Sequence, residues 1–279
     1  LIRDHQVSGY LFRRLRIMAG LDITESLLPQ DGRISLTDKG RLINSRLSII
    51  KTKSGQSAVV RILGDVEAYS NLDRVIQDKN VIESIRDVIY KPSGMVLVTG
   101  PTGSGKTTTQ YCSLMEINDI TRKIVSLEDP VEAELNGVSQ IEINDELGVD
   151  FSSMLSAILR QDPDVIMIGE IRDQNTANIA MRAAITGHVV LATLHTSDVL
   201  TTINRLMNLG IDGYMVASAL CLILSQRLLK RVCMHCRSEY VLTKKDKHYL
   251  AKKDVDSSRL SGVTLYYGKG CKYCKGSGY

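Results

Sequence analysis

From residue 94 onward, short apolar runs alternate with stretches of helical spacing. The runs at 95–98, 124–127, 165–168 and 189–194 have the length and aliphatic character of strands. Residues 106–117, 151–161 and 174–185 carry apolar positions three and four apart, the spacing of a helix with one buried face. This alternation predicts an α/β core with a mostly parallel sheet. A further helix is expected from near Asp198, closed by Gly210 just past its end, and another over 214–229. Upstream the pattern differs. Pro29-Gln30-Asp31-Gly32 is a turn leading into a strand at 33–36, and apolar-rich segments at 46–50 and 58–63 flank Lys51 to Gln56 as a hairpin would. Residues 81–90 have helical spacing, and the junction between the two regions is expected near 64–72.

The chain has 279 residues, enough for one large domain or two modest ones, with 43% hydrophobic and 24% charged residues. With no Trp and only 2 Phe, its core must be mostly aliphatic. No apolar run approaches the roughly 18–20 residues of a membrane-spanning helix, no secretory signal is visible, and the first residue is Leu, which together point to a cytosolic protein read here as a fragment. The net charge of +4 conceals an acidic middle between basic ends: residues 1–63 carry +6, residues 64–226 carry −11 and residues 227–279 carry +9. Basic ends suit phosphate, an acidic protein surface, anionic lipid or plain solvent. Few aromatic residues interleave with the basic ones, which disfavours a nucleic-acid-binding module.

Gly100-Pro101-Thr102-Gly103-Ser104-Gly105-Lys106-Thr107 fits G-x-x-x-x-G-K-[ST] between a predicted strand and a predicted helix. Glycines let successive N–H groups turn inward, and the helix start adds partial positive charge. Lys106 is placed to reach the β- and γ-phosphates and the Thr107 hydroxyl to hold Mg²⁺; Thr108 follows in the same turn. The Asn-Lys-x-Asp that reads guanine is absent. Downstream, Asp164 to Glu170 is an apolar strand ending in Gly169-Glu170, and Glu128-Asp129 follows the run at 124–127. Strand ends in such sheets line the ligand crevice. Glu170 is therefore a candidate Mg²⁺ partner and Glu128 a candidate for orienting and deprotonating a water, although either could be a surface or capping acid. His188 and His195 flank the run at 189–194. Their odd spacing points them to opposite faces, so they do not share a metal. His195, at the carboxyl end, is placed to sense the γ-phosphate; His188, at the other end, suits a structural role.

Of the 6 cysteines, Cys112 and Cys221 fall in helical, apolar patterns and are expected to be buried and inert. Cys233-Met234-His235-Cys236 and Cys271-Lys272-Tyr273-Cys274 are two C-x-x-C pairs that read as a closed, structural Cys₄ zinc site; disulfides are the alternative, disfavoured in a reducing compartment. Between them, residues 244–253 form a basic, helix-compatible stretch suited to anionic lipid, an acidic partner or solvent.

The phosphate loop, Leu127-Glu128-Asp129-Pro130-Val131-Glu132, Leu159-Arg160-Gln161-Asp162-Pro163-Asp164, Gly169-Glu170-Ile171-Arg172-Asp173, Thr193-Leu194-His195-Thr196 and the tetracysteine pattern occur in that order. Together they resemble the secretion ATPase superfamily of type II secretion and type IV pilus assembly, over essentially 25–279. The resemblance implies a RecA-like P-loop core with a smaller α+β, PAS-like N-terminal domain and a small zinc-binding subdomain. The expected boundaries are 1–68, a linker and leading helix at 69–93, an ATPase core at 94–230 and the zinc subdomain at 231–279. It implies ATP, Mg²⁺ and Zn²⁺, with a Walker A site at 100–107, an Asp box at 128–132, a Walker B at 164–170 and a His box at 186–196. That assignment makes Glu128 the base, Glu170 the Mg²⁺ partner, and counts Asp129 and His188 among the nucleotide-binding residues. It also implies that Arg46 and Arg61 reach the nucleotide from the N-terminal domain; the segment between them departs from the family pattern at Lys51-Thr52 and Gly55-Gln56. The four cysteines match the assembly and export branch rather than the pilus-retraction branch. A homo-hexamer at the inner membrane is implied, cytoplasmic and peripheral, working with a platform protein and a membrane-anchored docking protein, and binding no nucleic acid. A retraction or conjugative traffic ATPase is the alternative within the superfamily; an NTP-switched nucleic-acid module and a non-hydrolysing scaffold are the alternatives outside it.

Overall fold

In the computed structural model the chain divides into two compact units, Leu1–Arg227 and Leu228–Tyr279. The structure describes residues 5–38, 41–63, 71–144, 148–253, 255, 256, 258 and 262–279. The first unit opens with helix α1 (His5–Met18) and an antiparallel meander of β1 (Gln30–Asp38), β2 (Arg41–Thr52) and β3 (Gly55–Ile62). Alternation along these strands buries Ile34, Leu47 and Ile49 against Phe12, Leu15 and Met18 of α1. The expected hairpin is β2–β3, with Thr52 opposite Gly55 across a two-residue turn. The expected junction near 64–72 lies largely outside the described residues, which resume at Asn71.

Two short helices, α2 (Leu72–Val75) and α3 (Lys79–Ile89), lead to the core sheet. Its strands are β4 (Gly94–Thr99), β5 (Ile124–Glu128), β6 (Val138–Glu142), β7 (Val165–Ile168), β8 (Val189–Leu194) and β9 (Leu220–Ser225). They lie in the order β6-β5-β7-β8-β4-β9, every neighbouring pair parallel. Every residue of β4, β7 and β8 is buried, which explains why these strands read as unbroken aliphatic runs. One face packs against α5 (Phe151–Ile158) and α6 (Gln174–Ile185), the other against α3 and α4 (Lys106–Ile117). Side-chain caps start the helices where they begin: Asp150 on α5, Asp173 on α6, and a reciprocal Asp198–Thr201 pair on α7 (Val199–Asn208).

The structure corrects one expected helix. Residues 214–229 split into α8 (Gly213–Ala219) and strand β9. The aliphatic run at 220–225 satisfies either period, and pairing beside β4 settles it as an edge strand. Cys221, expected to be buried, is consequently exposed, whereas Cys112 in α4 is buried as expected.

The second unit holds β10 (Arg237–Tyr240) antiparallel to β11 (Leu265–Gly268), with α9 (Lys244–Ala251) between them, the basic stretch as a helix with no buried residue. Among the described residues, no helix is long and apolar enough to cross a membrane.

Leu97 on β4 is wholly buried in the larger core, so Leu97→Ala should cost about 2–5 kcal/mol of unfolding free energy. Val59 on β3 is largely exposed, and Val59→Ala should change stability by less than about 0.5 kcal/mol. Urea denaturation of both variants checks the contrast.

Candidate nucleotide site and cysteine centre

The loop between β4 and α4 turns on glycines. Gly100, Gly103 and Gly105 have φ of 149°, 74° and 86°, in the region that side chains with a Cβ avoid. A Cβ on Gly100 would also strike the Gln226 carbonyl and come within 2.6 Å of Ser104 Oγ. Gln226 closes the base of the loop, its N–H on Thr99 O at 2.8 Å and its side-chain oxygen accepting from Thr109 Oγ1 at 2.8 Å. Gly105 caps α4 without any side-chain hydrogen bond, so the first N–H groups of the helix face the loop. The hydroxyls of Thr99 and Ser104 are buried there with no partner among the described residues. Phosphate oxygens fit this cradle: amide donors, a helix start and an orphaned hydroxyl converge on it.

A cavity of about 560 Å³ opens over the loop, lined by Thr102 to Thr108, Glu128, Asp129, Glu132, Glu170, His195 and Arg61. Lys106 Nζ donates to the carbonyls of Gly100 and Pro101 at 3.0 and 3.3 Å and lies 3.5 Å from His195 Nδ1. Partial burial lowers its pKa, against the opposing pull of Glu170. His195 Nε2 lies 2.9 Å from Glu170 Oε2; an Nε2–H tautomer satisfies both ring contacts, donating to Glu170 and accepting from Lys106. Glu170 Oε1 accepts from Arg172, which also donates to Asp129 Oδ2 at 2.8 Å. Lys106, His195, Glu170, Arg172 and Asp129 thus form one chain of charges and hydrogen bonds across the ends of the strands.

Glu128 differs from Glu170. It is the last residue of β5, 2% exposed, and is held by Tyr111, Ser126 and Gln140. His188 is not brought to the cavity. It precedes β8 at the opposite end from His195, on the order of 20 Å away for a strand of that length, and its Nδ1 contacts Ala183 O at 3.0 Å. This corrects the inclusion of His188 among the residues expected at the nucleotide cavity. Arg61 lines the cavity and Arg46 does not. Arg33, Arg46 and Arg61 stand directly opposite one another across β1, β2 and β3. Like charges so placed repel, and Arg33 is relieved by an ion pair with Glu142 on β6. Sequence reasoning did not single out Tyr111, Gln140 or Arg33 at all. Ser126 and Arg172 lay inside segments already read for other residues.

In the second unit the Sγ atoms of Cys233, Cys236, Cys271 and Cys274 all lie within 4.8 Å of one another. Three of the sulfur–sulfur distances are 3.9, 3.8 and 3.7 Å, close to the edge of about 3.8 Å that a tetrahedron with Zn–S of about 2.3 Å requires, and far beyond the length of about 2.0 Å of a disulfide. The N–H groups of Cys271 and Gly278 point at Cys274 Sγ from 3.1 and 3.3 Å and help to hold its thiol at a pKa of about 6, favouring the thiolate that a metal takes. The donor set therefore fits a structural Zn²⁺.

A parallel sheet with a glycine loop between β4 and its helix, and carboxylates at the neighbouring strand ends, defines a P-loop nucleotide-binding protein. The profile of the type II/IV secretion system protein family matches residues 1–279, and the chain belongs to that family. It is 40% identical over 276 residues to the type II secretion system protein E of Dickeya dadantii, covering 99% of this chain and 54% of that protein. It is 43% identical over 269 residues to the type IV pilus assembly ATPase PilB of Myxococcus xanthus, covering 95% of this chain and 47% of that one. The chain thus spans about half the length of the curated relatives it matches. Among solved structures, the pilus retraction motor PilT with bound ADP is similar at 32% identity and a TM-score of 0.58, over 71% of this chain and 59% of that one.

Elemental analysis of the purified protein should find about one zinc per chain bound by the four thiolates. The variant Cys271→Ser/Cys274→Ser should lose it, and retention of full zinc by that variant would remove the cysteines as ligands.

Proposed function

We propose that this chain is the ATP-hydrolysing part of a hexameric motor that powers type II protein secretion or type IV pilus assembly. One observation carries the reading: the phosphate loop, Glu128, Glu170, His195 and Arg61 meet on a single cavity in a family member. The relatives named for type II secretion and PilB support assembly or export over retraction, and so do the four cysteines. The motor would work in the cytoplasm against the inner membrane, with a platform protein and a membrane-anchored docking protein. Its parts would be an N-terminal α+β domain at 1–68, a linker at 69–93, the ATPase core at 94–230 and a zinc subdomain at 231–279.

The loop amides, Lys106 and the N-terminus of α4 would hold the phosphates of ATP. Thr107 and Glu170 would hold Mg²⁺, which supplies charge neutralisation at the β- and γ-phosphates when bound. Glu128 would take a proton from the attacking water as the water oxygen bonds to the γ-phosphorus. The bond to the bridging oxygen breaks, and its electron pair leaves with ADP. His195, bridging Lys106 and Glu170, would report the γ-phosphate to Walker B. Arg61, and Arg46 once the N-terminal sheet closes, would neutralise charge on the transferring phosphoryl group, relieving the repulsion within the arginine row.

Lys106→Ala should abolish turnover; hydrolysis near the wild-type rate would refute the site. Glu170→Ala should still bind ATP and lose at least about a hundredfold in kcat. Arg46→Ala and Arg61→Ala should each lower kcat by at least about tenfold while changing nucleotide affinity less. An unchanged rate in both would remove their role.

A further inference from the structure

The carboxylate of Glu128 has no freedom of its own. Ser126 Oγ and Gln140 Nε2 donate to Oε1 at 2.6 and 3.0 Å, and the Tyr111 hydroxyl donates to Oε2. Tyr111 is wholly buried. Burial, with the charge of Glu128 beside it, raises the pKa of its hydroxyl, so it remains a donor throughout the working range. The same two outer side chains also hold the segment after Glu128. Tyr111 Oη accepts from Glu132 N–H at 3.2 Å. Gln140 accepts from Leu135 N–H at 2.7 Å and donates to Ala133 O at 2.9 Å. Gln140 can do so because β6 sets it directly opposite Ser126, one step along the same face from Glu128.

Tyr111 lies one turn beyond Thr107 on α4, the helix whose first turn forms part of the phosphate cradle. One rigid helix therefore carries both the group that meets the phosphates and the group that fixes the carboxylate. We infer that Tyr111 and Gln140 are positioning residues for hydrolysis: they lock the Glu128 carboxylate and the 129–135 segment in register with the phosphate loop. This rests on the reading of Glu128 as the residue that acts on water. Neither side chain need touch the nucleotide, so their loss should appear in the chemical step and not in binding.

Tyr111→Phe keeps the ring and removes the hydroxyl; Gln140→Met keeps the length and removes the amide. Steady-state hydrolysis by the full-length protein should show kcat lowered by about tenfold to a hundredfold in each, with ATP affinity within about twofold of wild type. Placed in a Glu128→Gln background, Tyr111→Phe should change the residual rate by less than about twofold, because it acts through the carboxylate already removed. Wild-type kcat in both single variants overturns the inference, and so does a full multiplicative loss in the Glu128→Gln background. A loss of ATP affinity matching the loss of kcat would mark a merely structural role and overturns it as well. If Tyr111→Phe does not fold, Gln140→Met and its combination with Glu128→Gln decide by the same criteria. The underlying reading fails separately: Glu128→Gln itself would then turn over ATP at the wild-type rate.

Discussion

The chain must leave a strand buried on both faces and start a helix within seven residues, from Thr99 to Lys106, without leaving its amides shielded. Only a backbone passing through positive φ at Gly100, Gly103 and Gly105 does this, and the rest of the site is arranged around the turn it makes. The close approach of Gly100 to Gln226 ties the loop to the residue just past β9, so the edge strand helps to set the floor of the cradle. Strands β5, β7 and β8 then deliver Glu128, Glu170 and His195 to the same edge of the sheet, because parallel strands all end on one side.

That convergence concentrates charge. Glu170 and Asp129 face one cavity with Lys106 and Arg61, and Arg172 joins the two carboxylates. Glu170 is held by partners that are themselves exposed, whereas Glu128 is buried, with donors that are buried at Tyr111 and Ser126 and half-buried at Gln140. The two acids therefore sit in different settings, one in an ion-pair chain at the rim of the cavity, the other in a sunken hydrogen-bond cluster. In the N-terminal sheet the arginine row is the complementary charge, with Arg33 already spent on Glu142 at the outer edge of the core sheet and Arg61 reaching the cavity.

The cysteine unit is built on a different principle. Among the described residues its two-stranded sheet and exposed helix bury little, and a unit with so small a core gains stability from a staple. Four thiols at tetrahedral spacing supply the means, with amide donors turned onto Cys274.

Much of this was legible in the linear pattern. Strands β4, β7 and β8 announce themselves as aliphatic runs because burial on both faces leaves no polar alternative, and the loop announces itself because glycine and lysine at fixed offsets have no other common reason to coincide. The same pattern failed at 220–225, where a short aliphatic run suits either period, while for His188 it was the family resemblance that grouped it with His195 although it sits at the other end of the strand. Residue type and spacing determined which chemistry the chain carries: a glycine loop suited to phosphate, acids at strand ends and four thiols spaced to fit a metal. Tertiary structure alone decided that Tyr111 and Gln140 meet on Glu128 and that three arginines stand abreast. Those contacts join residues from separate elements, and their geometry exists only once the sheet has brought the elements together.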